Sequence, residues 1–131
     1  MIFQGLFMMD VGGLSLSEAL SSLREFSKTA TSYELVESSL ASIGERLPEL
    51  DELIAKHTQN WSFDRLAKVD RNLLRLATFE LLVGKDPFQV VISEAVDLAK
   101  EFSDDKSGAF VNGVLDAVWR TVSATSETPQ E

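Results

Sequence analysis

The chain has 131 residues, and its 44% hydrophobic and 25% charged residues are typical of a folded domain with one core rather than a disordered chain. Cysteine is absent, which excludes disulfides, thiolate metal sites and a cysteine nucleophile and fits the cytoplasmic location that we expect. No apolar run approaches the ~18 residues of a membrane span. The net charge of −9 argues against a general affinity for polyanions.

Apolar residues recur at helical spacing along most of the chain and predict an all-α bundle of six or seven helices. The predicted helices cover, approximately, residues 1–10, 15–28, 31–45, 48–60, 62–83 and 87–102, and a last helix runs from the loop at 103–107 to 122. Asp86-Pro-Phe-Gln89 has the spacing of a capping box at the start of the sixth helix. We expect residues 1–122 to form a single helical domain and the polar tail, residues 123–131, to be disordered.

The sequence contains little that resembles an active site. His57 is the only histidine, and no glycine-rich or acidic motif accompanies it, so we expect it to be exposed on a helix. No Ser/His/Asp arrangement, phosphate-binding loop or metal-ligand spacing occurs. These observations indicate a binding protein rather than an enzyme, with no catalytic residues, no metal and no cofactor.

The fifth predicted helix carries two features that suggest binding. Lys68, Arg71 and Arg75 share one helix face, where they could meet phosphate or an acidic partner; alternatively they form a solvated face partly neutralised by Asp64. Glu80 lies on an apolar line of the same helix, so its carboxylate must pair with a donor inside the fold or reach the edge of a partner-binding groove. Spacing alone leaves both pairs of alternatives open.

The stretch FVNGVLDAVWR, residues 110–120, combines an apolar face with three interruptions. Asn112 and Asp116 adjoin on one face, next to Gly113. Because a glycine within a helix costs roughly 1 kcal/mol relative to alanine, we expect Gly113 to admit a closely packed neighbouring helix. The alternative is a small polar surface for a partner. Phe7, on the first helix, is by default a core residue, although an exposed phenylalanine can stack on a base.

Three segments, taken together, resemble the NusB family of transcription antitermination factors. They are WSFDRLAKVDRNLLRLATFELL at 61–82, PFQVVISEAVDLAKEF at 87–102 and SGAFVNGVLD at 107–116, in the order and spacing of the family. FQGLFMMD at 3–10 is similar to the end of the family's first helix. The resemblance implies an all-α fold of two three-helix subdomains and a non-enzymatic RNA-binding factor.

The resemblance also implies partners. NusB-like proteins pair with NusE, a ribosomal protein of the small subunit, and the pair holds the single-stranded boxA element of nascent ribosomal RNA leaders within the RNA polymerase antitermination complex. The family's arginine-rich segment would lie before Met1, so we expect the native chain to begin upstream. The alternative is a NusB-like protein-interaction module that has kept the partner groove and lost RNA binding.

Individual residues take their expected roles from the same resemblance. Phe7 falls at the position of an RNA-binding aromatic, and Asn112 and Asp116 match the segment that lies near the RNA. Asp116 is also expected to lie near the partner, and Glu80 matches the acid that faces the NusE-like protein. Arg75, from the basic stripe, is a further candidate for the partner surface.

Overall fold

Every regular element of the chain is a helix in the residues that the computed structural model describes, which are 2–24, 30–58 and 66–127. The seven helices are α1 (Ile2–Gly12), α2 (Leu16–Arg24), α3 (Ala30–Glu45), α4 (Leu47–Ala55), α5 (Lys68–Val83), α6 (Phe88–Phe102) and α7 (Asp105–Glu127). The predicted all-α class is confirmed. Within these ranges, no helix combines the length and the apolar character that a membrane crossing requires.

Residues 1–47 form one unit, in which α1, α2 and α3 contact one another. Its core contains Phe3, Leu6, Leu20, Leu23, Leu40 and Ile43. Gly5 allows α1 to approach its neighbours closely, since a β-carbon there would lie 2.7 Å from the Leu40 side chain. A capping box starts α2: the Glu18 N–H donates to Ser15 Oγ, and the Ser15 N–H donates to Glu18 Oε1, at 3.1 and 2.9 Å.

Residues 48–131 form the second unit, in which α5, α6 and α7 contact one another. Its core contains Leu50, Ile54, Leu73, Leu74, Val91, Ala99, Val111, Leu115 and Val118. The two units agree with the two predicted three-helix subdomains, with the short α4 added to the second. His57 lies in the turn after α4 rather than on a helix, and its Nε2 is 3.1 Å from Thr121 Oγ1 on α7.

Several helix ends differ from the prediction. Gly84 ends α5 as expected, with φ of 70° and its N–H donating to the Glu80 carbonyl at 3.0 Å. The predicted capping box before α6 is wrong, because Pro87 is the N-cap residue and no side chain caps the helix. The last helix continues beyond the predicted end at Val122, so residues 123–127 are helical rather than part of a tail, whereas 128–131 lie outside the described residues.

Candidate functional site

A groove of about 480 Å³ lies between α6 and α7, and we call it the α6–α7 groove. The structure brings two of the predicted site residues together here, since Asn112 and Asp116 both line the groove from α7. It is also lined by Phe88, Gln89, Ile92, Ser93, Val96, Asp97 and Lys100 from α6. The groove therefore offers an aromatic ring, an amide, carboxylates and an ammonium group within one surface.

Asp116 forms an ion pair on the surface of α7. Its Oδ2 accepts a hydrogen bond from the Arg120 guanidinium at 2.5 Å, and the side chains of Asp116 and Arg120 are 46% and 76% exposed. Such an exposed pair, four residues apart on a helix, stabilises by only about 0.3–0.5 kcal/mol. The pair therefore opens easily, and both charges remain accessible to a ligand.

The two ends of the groove are chemically different. At one end, Phe88 stacks on Trp119 with ring centroids 4.6 Å apart and planes 12° from parallel. At the other end lies Lys100, twelve residues further along α6, which corresponds to about 18 Å of helix. Asn112 and Asp116 occupy the part of α7 between these ends. Neither Phe88 nor Lys100 is recognisable as a site residue from the sequence, because each alone resembles an ordinary helix residue.

The prediction that Gly113 admits a neighbouring helix is wrong. Gly113 is exposed, and a β-carbon built on it would find nothing within 4 Å. The close approach occurs instead at Gly108, one turn and a residue earlier in α7, where a β-carbon would lie 2.8 Å from Lys100 Cγ. Packing within the unit therefore explains Gly108 and does not explain Gly113.

Replacing Gly113 by alanine should raise the free energy of unfolding by about 0.5–1 kcal/mol, because alanine favours the helix and the site has room for a methyl group. Urea denaturation would measure the change. Gly44 in α3 is also exposed and open, so Gly44→Ala is a matched control that should stabilise by a similar amount or less. A loss of stability in Gly113→Ala alone would show that its backbone requires glycine.

A second, smaller cleft of about 90 Å³, the α5–α6 cleft, contains Glu80. The half-buried Glu80 shares it with Glu94 and with apolar residues of both helices, among them Leu76 and Leu98. Partial burial raises the pKa of Glu80 above its usual value of 4.5, and the negative charges of Glu94 and Asp86 raise it further. Among the described residues, no arginine or backbone N–H pairs with its carboxylate. Of the two sequence alternatives, the geometry favours the edge of a groove.

The predicted basic stripe on α5 is not a continuous surface. Arg71 is buried at 7% exposure, and the Arg75 side chain is only 11% exposed. Arg75 Nε and Nη2 donate to the two carboxylate oxygens of Asp51 at 2.8 and 2.9 Å, and its Nη1 donates to Asn72 Oδ1 at 3.2 Å. Asp64, the predicted neutralising acid, lies outside the described residues. The guanidinium of Arg75 therefore ties α4 to α5. Its partner-binding role stays a prediction.

Phe7 lies on α1, in the first unit. Its ring lies 6.0 Å from that of Phe3, at 56° between the planes, and Phe3 is buried. Phe7 itself is partly exposed. It thus packs against the core on one side and retains accessible ring surface, which is compatible with both sequence alternatives.

A third pocket, of about 400 Å³, lies at the beginnings of α5 and α7 and contains none of the predicted site residues. The Ser107 hydroxyl donates to the Asp70 carboxylate here, and the Ser107 N–H donates to Asp104 Oδ1 at 2.8 Å. Burial raises the pKa of Asp70 despite the hydrogen bond from Ser107, and Asp104 adds to the rise. These contacts join the two helix starts.

The sequence profile of the NusB family matches residues 1–120, which is most of the chain. The chain belongs to the NusB family. A transcription antitermination protein NusB from Bacillus subtilis strain 168 is 44% identical over 113 residues, covering 86% of this chain and 84% of that protein. Another, from Anaeromyxobacter dehalogenans strain 2CP-1, is 43% identical over 117 residues, covering 88% and 82%.

Solved structures of the NusB family have the same fold. Thermotoga maritima NusB superimposes with a TM-score of 0.80 at 36% identity, covering 91% of this chain and 85% of that one. A chain in the crystal structure of antitermination factors NusB and NusE in complex with dsRNA gives a TM-score of 0.82 at 32% identity, covering 92% and 91%. The NusB-like arrangement implied by the sequence segments is thereby confirmed.

Proposed function

We propose that this chain is a transcription antitermination or termination factor. It binds boxA-type single-stranded RNA of nascent ribosomal RNA leaders together with a NusE-like small-subunit ribosomal protein, within the RNA polymerase antitermination complex. Membership of the NusB family supports this function most directly. The factor acts in the cytoplasm, by binding and without catalysis. A related chain that is solved with NusE and dsRNA gives further support.

The α6–α7 groove is the proposed RNA surface in the second unit. Amide and carboxylate groups such as those of Asn112 and Asp116 read the hydrogen-bonding edges of unpaired bases, since an amide both donates and accepts and a carboxylate accepts from amino groups. The Phe88 ring at one end of the groove suits stacking on a base. Phe7 is a proposed further RNA contact, in the first unit.

The α5–α6 cleft is the proposed surface for the NusE-like partner. A ribosomal protein contacts ribosomal RNA phosphates through cationic side chains, and such a cation would complement Glu80 and Glu94. A partner that covers the cleft would bury the two acids among its apolar residues, and the exclusion of water would strengthen the attraction. Asp116, on the other side of α6, is proposed to lie where RNA and partner surfaces meet.

A gel-shift assay with a boxA-type RNA and the NusE-like protein tests the proposal. We expect a shift at ~50 mM salt that weakens as salt is raised, and a weaker shift with a scrambled RNA. The net charge of −9 favours one alternative, a protein-interaction module without RNA binding. That alternative predicts capture of the NusE-like protein after nuclease treatment and no RNA shift at any salt concentration.

Asp116→Asn should leave the melting temperature within about 2 °C of wild type, because the pair that it breaks with Arg120 is exposed. The affinity for RNA plus partner should change by about threefold or more, because an amide donates where the carboxylate only accepts. Thermal melting and the gel shift measure the two effects. Glu101→Gln, exposed on α6 and outside the groove, removes the same charge and should change neither the melting temperature nor the affinity. A fall in melting temperature with unchanged affinity would contradict the assignment of Asp116.

A further inference from the structure

Lys100 is held in an unusual way at the end of the α6–α7 groove. Its aliphatic stem crosses α7 at Gly108, where a β-carbon would lie 2.8 Å from Lys100 Cγ and 3.1 Å from Cε. Any residue larger than glycine would push the stem aside. Gly108 is buried whereas Lys100 remains exposed overall, so the stem is packed against α7 and the ammonium group reaches solvent.

The neighbours of Lys100 give its ammonium group a defined environment. It lines the same groove as Asn112 and Asp116, with Asp97 one turn earlier on its own helix. No ion pair between Lys100 and another described residue occurs, although Asp97, Glu101 and Asp104 are close in the chain. The cation is therefore available to a ligand lying in the groove.

The mixture of groups in the groove favours one class of ligand. An acidic peptide would meet Lys100 but would be repelled by Asp97 and Asp116. A nucleotide carries a phosphate that can pair with the Lys100 ammonium group. It also carries amino groups on its base that can donate hydrogen bonds to the carboxylates. The stacked Phe88 at the far end adds a surface for a base.

We propose that Lys100 contacts a backbone phosphate of RNA bound in the α6–α7 groove, and that Gly108 is a positioning residue that fixes the path of the Lys100 side chain. This inference rests on the RNA-binding function proposed above and adds a charge contact that the sequence did not reveal. The phosphate contact places the strand, while the groups at Asn112 and Asp116 face its bases.

A purely structural role makes different predictions. Lys100 lies in the last turn of α6, where its positive charge interacts favourably with the helix dipole and stabilises the helix. Its aliphatic stem also fills the space beside Gly108. Methionine keeps an unbranched apolar stem and removes the charge. A structural role would therefore lower the melting temperature of Lys100→Met without changing how RNA binding depends on salt.

The experiment measures binding of a boxA-type RNA with the NusE-like protein from about 50 to 200 mM salt. For Lys100→Met we expect about tenfold weaker binding at low salt and a salt slope smaller by about one unit, because one phosphate contact is lost. Lys106→Met is the matched control, since Lys106 is exposed, lies two residues from Gly108 and lines a different pocket. It should bind as wild type.

Gly108→Ala tests the positioning role without removing any charge. The added methyl group displaces the Lys100 stem, so RNA binding should weaken by about threefold or more while the melting temperature holds or rises. Combining Gly108→Ala with Lys100→Met should weaken binding no more than Lys100→Met alone, since both changes act on one contact.

The outcomes separate this inference from the proposed function. If wild type does not shift the RNA at ~50 mM salt, both are rejected. If wild type binds and Lys100→Met keeps its affinity and salt slope, only the role of Lys100 is rejected. If Lys100→Met weakens binding of the NusE-like protein measured without RNA, the cation serves a protein contact and the phosphate assignment is wrong.

Discussion

Asp51→Ala should lower the free energy of unfolding by about 2–3 kcal/mol, one of the largest effects that we expect from a polar substitution in this chain. Asp51 binds the Arg75 guanidinium through both carboxylate oxygens, at 2.8 and 2.9 Å. The Arg75 side chain is 11% exposed, so removing the carboxylate leaves its charge in a setting where water replaces the lost contacts poorly. Urea denaturation measures the loss.

A second substitution shows whether the loss comes from this pair. Arg75→Met keeps an unbranched side chain without charge, and the double variant Asp51→Ala/Arg75→Met should be more stable than Asp51→Ala alone. Glu52→Ala, at the exposed neighbouring position of α4, is the matched control and should change stability by less than about 0.5 kcal/mol. Equal losses for Asp51→Ala and Glu52→Ala would contradict a structural ion pair.

The same variants decide the role of Arg75. If it ties α4 to α5, the folded Asp51→Ala/Arg75→Met protein should bind the NusE-like protein as tightly as wild type. A loss of partner affinity in a variant that melts cooperatively would support the predicted partner-binding role of Arg75.

Glu80→Arg should weaken binding of the NusE-like protein by about thirtyfold or more, equivalent to about 2 kcal/mol, because a partner cation would meet a like charge in place of an acid. The fold should tolerate the change, since Glu80 is half exposed and Glu94 lines the same cleft and can pair with the new cation. Isothermal titration calorimetry without RNA measures the affinity. Glu101→Arg, exposed on α6 and outside the cleft, makes the same change of charge and should bind as wild type. Equal losses in both variants would indicate a long-range effect of charge instead.

The raised pKa of Glu80 adds a dependence on pH. Its carboxylate is protonated at a higher pH than an ordinary glutamate, so partner affinity should fall as the pH drops through the raised pKa. Stability should move the other way: between the unfolded pKa near 4.5 and the raised folded pKa, the folded state binds more protons, and protonation stabilises it. Glu80→Gln should therefore keep or raise the melting temperature at pH 7 and bind the partner with less dependence on pH.

The fold was predictable from the sequence because the spacing of apolar residues indicates which face of each helix is buried. Leu73, Leu74 and Leu115 are almost fully buried, as their spacing indicated. The ends of the helices were predicted less accurately than their buried faces. The start of α6 lies one residue later than the local motif suggested, because Pro87 occupies the cap position itself.

The placement of residues in a candidate site was predictable only where the feature lies within one helix. Asn112 and Asp116 share a face of α7, and the groove contains both. The role of Arg75 depends on its contact with Asp51, and the role of Gly108 depends on its contact with Lys100. Both contacts join different helices, so the spacing of residues within one helix cannot predict them. Gly113 is the opposite case. A glycine in an otherwise apolar helix suggests close packing, but the fold leaves the space beside Gly113 open.

The stack of Phe88 on Trp119 fixes one end of the α6–α7 groove, and Lys100 marks the other. At about 3.4 Å per stacked nucleotide, the intervening ~18 Å matches about five nucleotides, and fewer if the strand is stretched. If RNA occupies this groove as proposed, one copy of the chain contacts only a short segment of it there. A longer recognition element would then extend over separate surfaces, and selectivity for the full element would belong to the assembled complex rather than to this protein alone.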